Sequence, residues 1–275
     1  MPQIYNFGKI FRLTTSLIIA TYNWPEALET VLKSAVSQSI PPDEILIADD
    51  GSSQQTADLI RKFQSENRVP IHHIWHEDKG FRLAEIRNKA IAKSQHDYII
   101  QIDGDVILHR NFVKDHKNLA KKNCFITGSR VLLSPEFSKE ILTEKQTKIS
   151  PFSKGIKNAQ NAIYFPIFNK FAKPENNPLE KMTTRIRGCN MSFWRQDLLE
   201  INGYDESFVG WGREDSDLVI RLIKKGCYRR KVKFAAVQYH LYHKENSKEN
   251  LEKNHQILEE ALKRKGFWAE NGIVK

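Results

Sequence analysis

Near-continuous apolar runs the length of a buried strand recur through the first 130 residues, each ends in polar side chains, and segments of helical period separate them. The runs lie at 16–20, 44–48, from Ile71 in IHHIW, and at 98–102. After the first, Leu28, Val31, Leu32, Ala35 and Val36 share one helical face. Asn23 or Thr21 can cap that helix, Pro25 suits its first turn, and Pro41-Pro42 stop it. Further helices are expected at about 55–66 and 82–92. Strands of this kind alternating with helices predict an α/β fold, a mainly parallel sheet covered on both faces. Ligands of such sheets gather at the carboxyl ends of strands, where ATYN, ADDGS and DGD would share one edge.

The third of these ends is chemically the most pointed. In YIIQIDGDV an apolar strand runs into Asp103 and Asp105 with Gly104 between them. Two buried like charges are costly unless a cation meets them. A bare D-x-D is frequent by chance and reads as a solvated turn. The strand before it and the polar strand ends beside it favour a hard divalent cation with positions open for phosphate oxygens. His240 and His243 in VQYHLYHKEN are the downstream candidates to join it, shifting preference from magnesium toward manganese, though either serves equally as a surface histidine. His72, His73 and His76 read as structural.

A second cluster is GWGREDSDL. Gly210 and Gly212 allow a tight backbone around Trp211, and Glu214, Asp215 and Asp217 open a helix. Acids there are expected from the helix dipole, but a carboxylate beside an exposed indole also suits a sugar hydroxyl and its proton. Arg82 and Arg87, in DKGFRLAEIRN, are either solvated or reach an anionic ligand at the strand ends. No dinucleotide or P-loop glycine pattern is present.

At 275 residues, 40% apolar and 28% charged, the chain reads as soluble and globular, and its fifteen Phe and five Trp exclude general disorder. No apolar run approaches a membrane span. The run after Lys9 and Arg12 is too short for an export signal, and three scattered cysteines suit a reducing compartment, so a cytoplasmic location is expected. The net charge of +10 suits nucleic acid, an anionic membrane or a polyphosphate substrate, and equally a solvated basic face.

Residues 135–180, rich in Lys, Asn, Ser and Pro, read as an insertion or mobile loop with a short helix near 138–143. RIRGCNMSFWR reads as a strand feeding a helix at 196–201, and a helix at 214–225 ends at Gly226. The expected organisation is one domain over 1–247, with a nucleotide-binding part at about 14–130 and an acceptor-side part at about 185–247. A helical tail follows over 248–275.

The segments TSLIIATYNWPEALETVLKSAVSQSIPPDEILIADDGSSQQT, DKGFRLAEIRNKAI and QIDGDV resemble inverting family-2 glycosyltransferases of the GT-A fold. RGCNMSFWRQDLLEINGYDESFVGWGREDSDLVIRL resembles the C-terminal part shared by β-1,4-galactosyltransferases and chondroitin or hyaluronan polymerases. The resemblance covers about 15–130 and 185–246; the segment 135–180 and the tail have no counterpart.

This resemblance implies a UDP-sugar donor, a divalent metal (manganese, with magnesium the alternative), and a glycan or lipid-linked glycan acceptor in bacterial cell-surface polysaccharide synthesis. It implies that Thr21, Tyr22, Asn23, Asp49, Asp50, Arg82 and Arg87 hold the donor, Arg87 near the uracil. Asp105 becomes the direct metal ligand, Asp103 a ribose or water contact in the same motif, and His240, ahead of His243, the metal histidine. Asp215 matches the catalytic base, with Trp211, Gly212 and Glu214 toward the acceptor. Arg213 departs from the small residue many relatives carry there. Two competing readings are an inactive nucleotide-sugar or glycan-binding protein on this fold and a basic nucleic-acid-binding protein. The acidic cluster argues against nucleic acid, and contact with an anionic membrane is the weaker use of the basic surface.

Overall fold

The computed structural model describes residues 12–171, 173–175, 179–182, 186–244 and 247–275. The N-terminal residues weighed above as a leader, Lys9 among them, lie outside the described residues, as do 172 and 176–178 of the expected insertion.

The first four apolar runs are strands β1 (Thr15–Thr21), β2 (Glu44–Asp49), β3 (Ile71–Trp75) and β4 (Tyr98–Asp103). They alternate with helices α1 (Pro25–Val36), α2 (Gln54–Glu66) and α3 (Leu83–Lys93). β5 (Val106–Leu108), α4 (Phe112–Leu119), β6 (Cys124–Thr127), β7 (Val131–Leu132) and α5 (Pro135–Glu144) follow. After two 3-10 turns, Ala159–Ala162 and Pro166–Phe171, come α6 (Leu179–Met182), β8 (Met191–Trp194), α7 (Arg195–Glu200) and α8 (Glu214–Lys225). β9 (Tyr228–Lys231), β10 (Gln238–His240) and α9 (Leu251–Lys263) complete the described order.

The main sheet runs β3-β2-β1-β4-β8-β6-β9. β3, β2, β1 and β4 are mutually parallel, β8 is antiparallel to both β4 and β6, and β6 and β9 are parallel. This is the mixed, mainly parallel sheet the sequence predicts. β1 and β2 are buried along their whole length, because helices cover both faces. One layer packs Leu28, Val31 and Leu32 of α1 on Leu17, Ile19 and Ile100. The other packs Ile86, Ala90 and Ile91 of α3 with Leu218, Val219 and Leu222 of α8 on Ile18, Leu46 and Ile99. In the second, three-stranded sheet, β10 lies antiparallel to β5 and parallel to β7.

Three expectations change. The described residues 186–190 are not strand: β8 begins only at Met191, and they turn so that Gly188 can pass under a carboxylate described below. The described part of 135–180 is not a loose loop: Phe137, Ile141, Ala162 and Tyr164 join Ile107, Val131 and Tyr239 in a third apolar cluster. The tail is no appendage either. α9 packs on α8, where Lys224 donates to the Ala261 carbonyl at 2.6 Å, and the segment beyond it docks through Asn202, whose Nδ2 donates to Ala269 and Val274 carbonyls.

Candidate active site

The rim of the sheet is set by register. Thr21 sits beside Asp49, and Ala20 beside Asp103, so the polar ends of β1, β2 and β4 form one row. Gly104 donates its N–H to the Ala20 carbonyl at 2.6 Å. A Cβ at Gly104 would lie 2.9 Å from that oxygen and from Thr21 Oγ1. Glycine is therefore required between the two aspartates by close approach of the chains.

Beyond Gly104 the chain turns Asp105 toward the end of β10. Ligand atoms of Asp105, His240 and His243 all lie within 4.8 Å of one another. His243 Nε2 is 3.2 Å from Asp105 Oδ2, and His240 Nε2 is 3.6 Å from it. Asp105 Oδ1 is buried with no hydrogen-bond partner. An orphaned carboxylate oxygen beside two imidazoles is a donor set that fits a divalent cation of the manganese or zinc type. Burial pushes Asp105 upward, but the His243 hydrogen bond and the charge of both histidines hold it below the ordinary carboxylate value. Burial lowers His240, and the Asp105 hydrogen bond raises His243. The geometry sets both histidines beside Asp105 without favouring His240: β10 delivers the first, and the chain three residues on returns the second. Asp103 is not in this triad.

Asp103 instead faces Arg87. That guanidinium is 1% exposed and places Nη2 2.9 Å from Asp103 and Nη1 3.0 Å from Asp215, with Glu214 at 3.6 Å. Arg87 was expected beside the uracil. In the structure it is a buried hub: α3 carries it beneath the rim, where three carboxylates converge on it. They hold its pKa raised against the cost of burial, Asp215 most strongly. Burial pushes Asp103 up to about 6, and burial with the charge of Asp215 pushes Glu214 up to about 8.

Asp215, in the first turn of α8, receives its second donor from Tyr204. The Tyr204 hydroxyl is 3.0 Å from Asp215 Oδ1 and 2.8 Å from Gln101 Oε1, with one proton to share. Arg87 and Tyr204 both address Oδ1. A Cβ at Gly188 would fall 2.0 Å from Oδ2, so only glycine leaves room for this carboxylate. Tyr204 is itself fixed by Asn88, which accepts its N–H and donates to its carbonyl, and by Arg221, which binds the Ile201 and Gly203 carbonyls.

The GWGR loop is held from two sides. Gly210 donates to the Phe81 carbonyl, and Asn254 of α9, 1% exposed, donates to the Val209 and Gly212 carbonyls. Trp211 is 42% exposed with Lys248 over its ring. Gly212 and Arg213 both adopt positive φ, 103° and 81°. That conformation is uncommon for arginine and marks a constrained turn into α8.

The other expected donor residues lie at or beyond the carboxyl ends of β1, β2 and β3. Tyr22, half exposed, donates to Asp78 Oδ2; Asn23 N–H donates to Ser52 Oγ and Asn23 Oδ1 accepts from Ser53. Asp49 is fully buried, engaged by the Ser52 N–H and His73, and so supports the loop. Asp50 is held by His76 at 2.6 Å and by the Arg82 N–H at 2.9 Å. Lys89 Nζ lies 3.0 Å from His76 Nδ1. An ammonium only donates, so the other nitrogen carries the proton and donates to Asp50. Arg82 turns its side chain to Glu85 and the Glu77 carbonyl. Tyr204, Gln101, Gly188 and Asn254 escaped sequence reasoning; GCN and NGYD stand in the resembling segments, but no spacing rule links them to Asp215.

The family profile described as glycosyl transferase family 2 matches residues 16–200, and that described as the N-terminal domain of galactosyltransferase matches 175–244. The chain is 29% identical over 245 residues to chondroitin synthase of Escherichia coli, covering 82% of this chain and 34% of that protein. It is 26% identical over 224 residues to validoxylamine A glucosyltransferase of Streptomyces hygroscopicus subsp. limoneus, covering 77% of this chain and 48% of that one. The chain therefore spans between a third and a half of these relatives. Among solved structures, S. aureus TarS 1-349 superposes with a TM-score of 0.61 at 14% identity, over 90% of this chain and 65% of that one. The mannosyltransferase PcManGT from Pyrobaculum calidifontis, in complex with GDP-Man and Mn2+, gives a TM-score of 0.57 at 17% identity, over 86% and 59%. With the profile spanning more than half of the residues, the chain belongs to glycosyl transferase family 2.

Proposed function

We propose that the protein transfers a sugar, with inversion, from a UDP-sugar to a hydroxyl of a glycan or lipid-linked glycan, in the synthesis of a bacterial surface polysaccharide. The observation that carries this reading is the pairing on one rim of an oriented carboxylate, Asp215, with a cation-ready triad, Asp105, His240 and His243.

Asp215 Oδ1 is committed to Arg87 and Tyr204, so Oδ2 is the oxygen that takes the proton of the acceptor hydroxyl. One base and direct displacement give inversion without an enzyme nucleophile, through an oxocarbenium-like state of the kind glycoside cleavage uses. Glu214, pushed up to about 8, stays protonated near neutrality and adds no second negative charge beside the base. The triad would hold manganese, with magnesium as the alternative ion, supplying Lewis-acid stabilisation of the leaving diphosphate. Thr21, Tyr22, Asn23 and Asp50 would line the nucleoside side, Asp103 its ribose, and Trp211, Gly212 and Glu214 the acceptor side. TarS solved with UDP-GlcNAc and PcManGT solved with GDP-Man and Mn2+ share the fold and support a nucleotide-sugar donor and a metal.

We place the reaction in the cytoplasm, peripheral to the inner face of the membrane; the net charge of +10 supports an anionic surface as partner. No helix of the described residues is long and apolar enough to cross a bilayer. The test is a panel of UDP-sugars with manganese, reading released UDP. Release with one donor, increased by a glycan acceptor, is expected; UDP binding without release from any donor would instead favour a binding protein.

A further inference from the structure

The segment that follows α5 carries an unusual combination. Ile163, Phe165, Ile167 and Phe168 are 49%, 57%, 50% and 56% exposed, four large apolar side chains within six residues. Contiguous exposure of this kind on a folded chain marks a contact surface. From 145 to 174 the sequence holds six lysines and neither an aspartate nor a glutamate. Lys154 and Lys157 within it are exposed, as is Lys233 nearby.

The segment is anchored. Phe165 N–H donates to the Phe234 carbonyl at 2.7 Å, the Phe168 ring meets the Phe234 ring edge-on, and buried Asn169 bonds both the N–H and the carbonyl of Lys233. It is thereby fixed just past the carboxyl end of β9. β9 is parallel to β6, β6 antiparallel to β8, and β8 antiparallel to β4. The carboxyl ends of β9 and β4 therefore face the same way. The apolar residues stand at the far end of the rim that carries Asp105 and Asp215.

We propose that residues 163–168 are the membrane-contact element of this protein, seating the rim of the sheet against an anionic lipid surface. Exposed apolar side chains, with exposed Lys233 beside them and exposed Lys154 and Lys157 earlier in the same segment, supply the two components of interfacial binding: burial of apolar area and attraction to anionic lipid. A protein partner would need an acidic groove to match; a bilayer supplies both components without one. The inference rests on the transferase reading only for what the seated rim would reach, and its test needs no turnover.

The experiment is sedimentation of the full chain with phosphatidylcholine vesicles with and without phosphatidylglycerol, in the absence of donor. Binding to the phosphatidylglycerol vesicles, weakened by salt, is expected for the wild type. The double variant Phe165→Ser with Ile167→Ser, at two half-exposed positions, should partition roughly tenfold more weakly while unfolding at the wild-type temperature. Phe165→Trp keeps the apolar character and should bind as the wild type, with the emission it adds over the five native tryptophans of the wild type quenched by brominated lipid. Failure of the wild type to bind, equal binding by the serine variant, or no quenching of the emission added in the Phe165→Trp variant would each overturn the proposal. So would a wild-type dimer that the serine variant dissociates without any vesicle binding. UDP release, measured separately, judges the transferase reading whatever the vesicles show.

Discussion

Arg87 Nη1 and Asp215 Oδ1 lie 128 positions apart in the chain and meet at 3.0 Å. The other arm of the same guanidinium reaches Asp103 at 2.9 Å. One buried cation thus joins the carboxylate in the first turn of α8 to the aspartate motif at the end of β4. The geometry of each half of the site depends on the other.

Asp215→Asn keeps the shape of the side chain and removes its basicity. Turnover should fall roughly 10²- to 10⁴-fold, the usual contribution of a general base. UDP affinity by calorimetry should be unchanged; near-normal turnover would remove Asp215 from the mechanism.

Arg87→Met leaves Asp103 and Asp215 buried without their cation. Removing one partner of a buried ion pair costs on the order of 3–5 kcal/mol. Denaturant unfolding should show a loss of that size, whereas an arginine beside the uracil would lower UDP affinity and leave stability intact.

The triad predicts that His240→Gln and His243→Gln both weaken manganese binding. Each loss should exceed the roughly 10- to 100-fold seen when only an orienting partner is removed. Manganese paramagnetic resonance reads the affinity directly, and an unchanged His243 variant would return the site to a single histidine.

Glu214 predicts an alkaline loss of stability. Its folded value of about 8 lies above the ordinary 4.5. The folded state therefore holds the extra proton, and this contribution is complete below 4.5 and lost as pH rises toward 8. Glu214→Gln should cancel a fall in thermal midpoint over that window on the order of a few °C.

Asn254→Ala removes two hydrogen bonds to the Val209 and Gly212 carbonyls, leaving both acceptors unsatisfied. About 1–3 kcal/mol per unsatisfied group is at stake. The acceptor KM should rise while UDP affinity holds; a parallel loss of both would make Asn254 a general structural residue.

Much of this was legible beforehand because it is local. Strand and helix periods are properties of neighbouring residues: α2 and α3 fall within one residue of where apolar spacing puts them, and α1 starts at Pro25 as expected but ends at Val36, ahead of Pro41-Pro42. Gly104 between two carboxylates announces a strand end carrying charge. The ion pairs of Arg87 were not legible, for the opposite reason. Five positions from Arg82, it shows nothing in its surroundings of the Asp215 that α8 brings to it. The tail likewise reads as a charged helix, and Asn254 looks like any polar position on it.

The order of strands and helices, the polar ends at one rim and the acidic motif follow from the chain alone, since hydrophobic period and turn chemistry act over a few residues. Which histidines join Asp105, which cation neutralises Asp215, and which helix braces the GWGR loop were decided only in three dimensions. Charges and hydrogen-bond partners there meet across separations such as 42 residues, Gly212 to Asn254, and 128, Arg87 to Asp215, which sequence spacing does not encode.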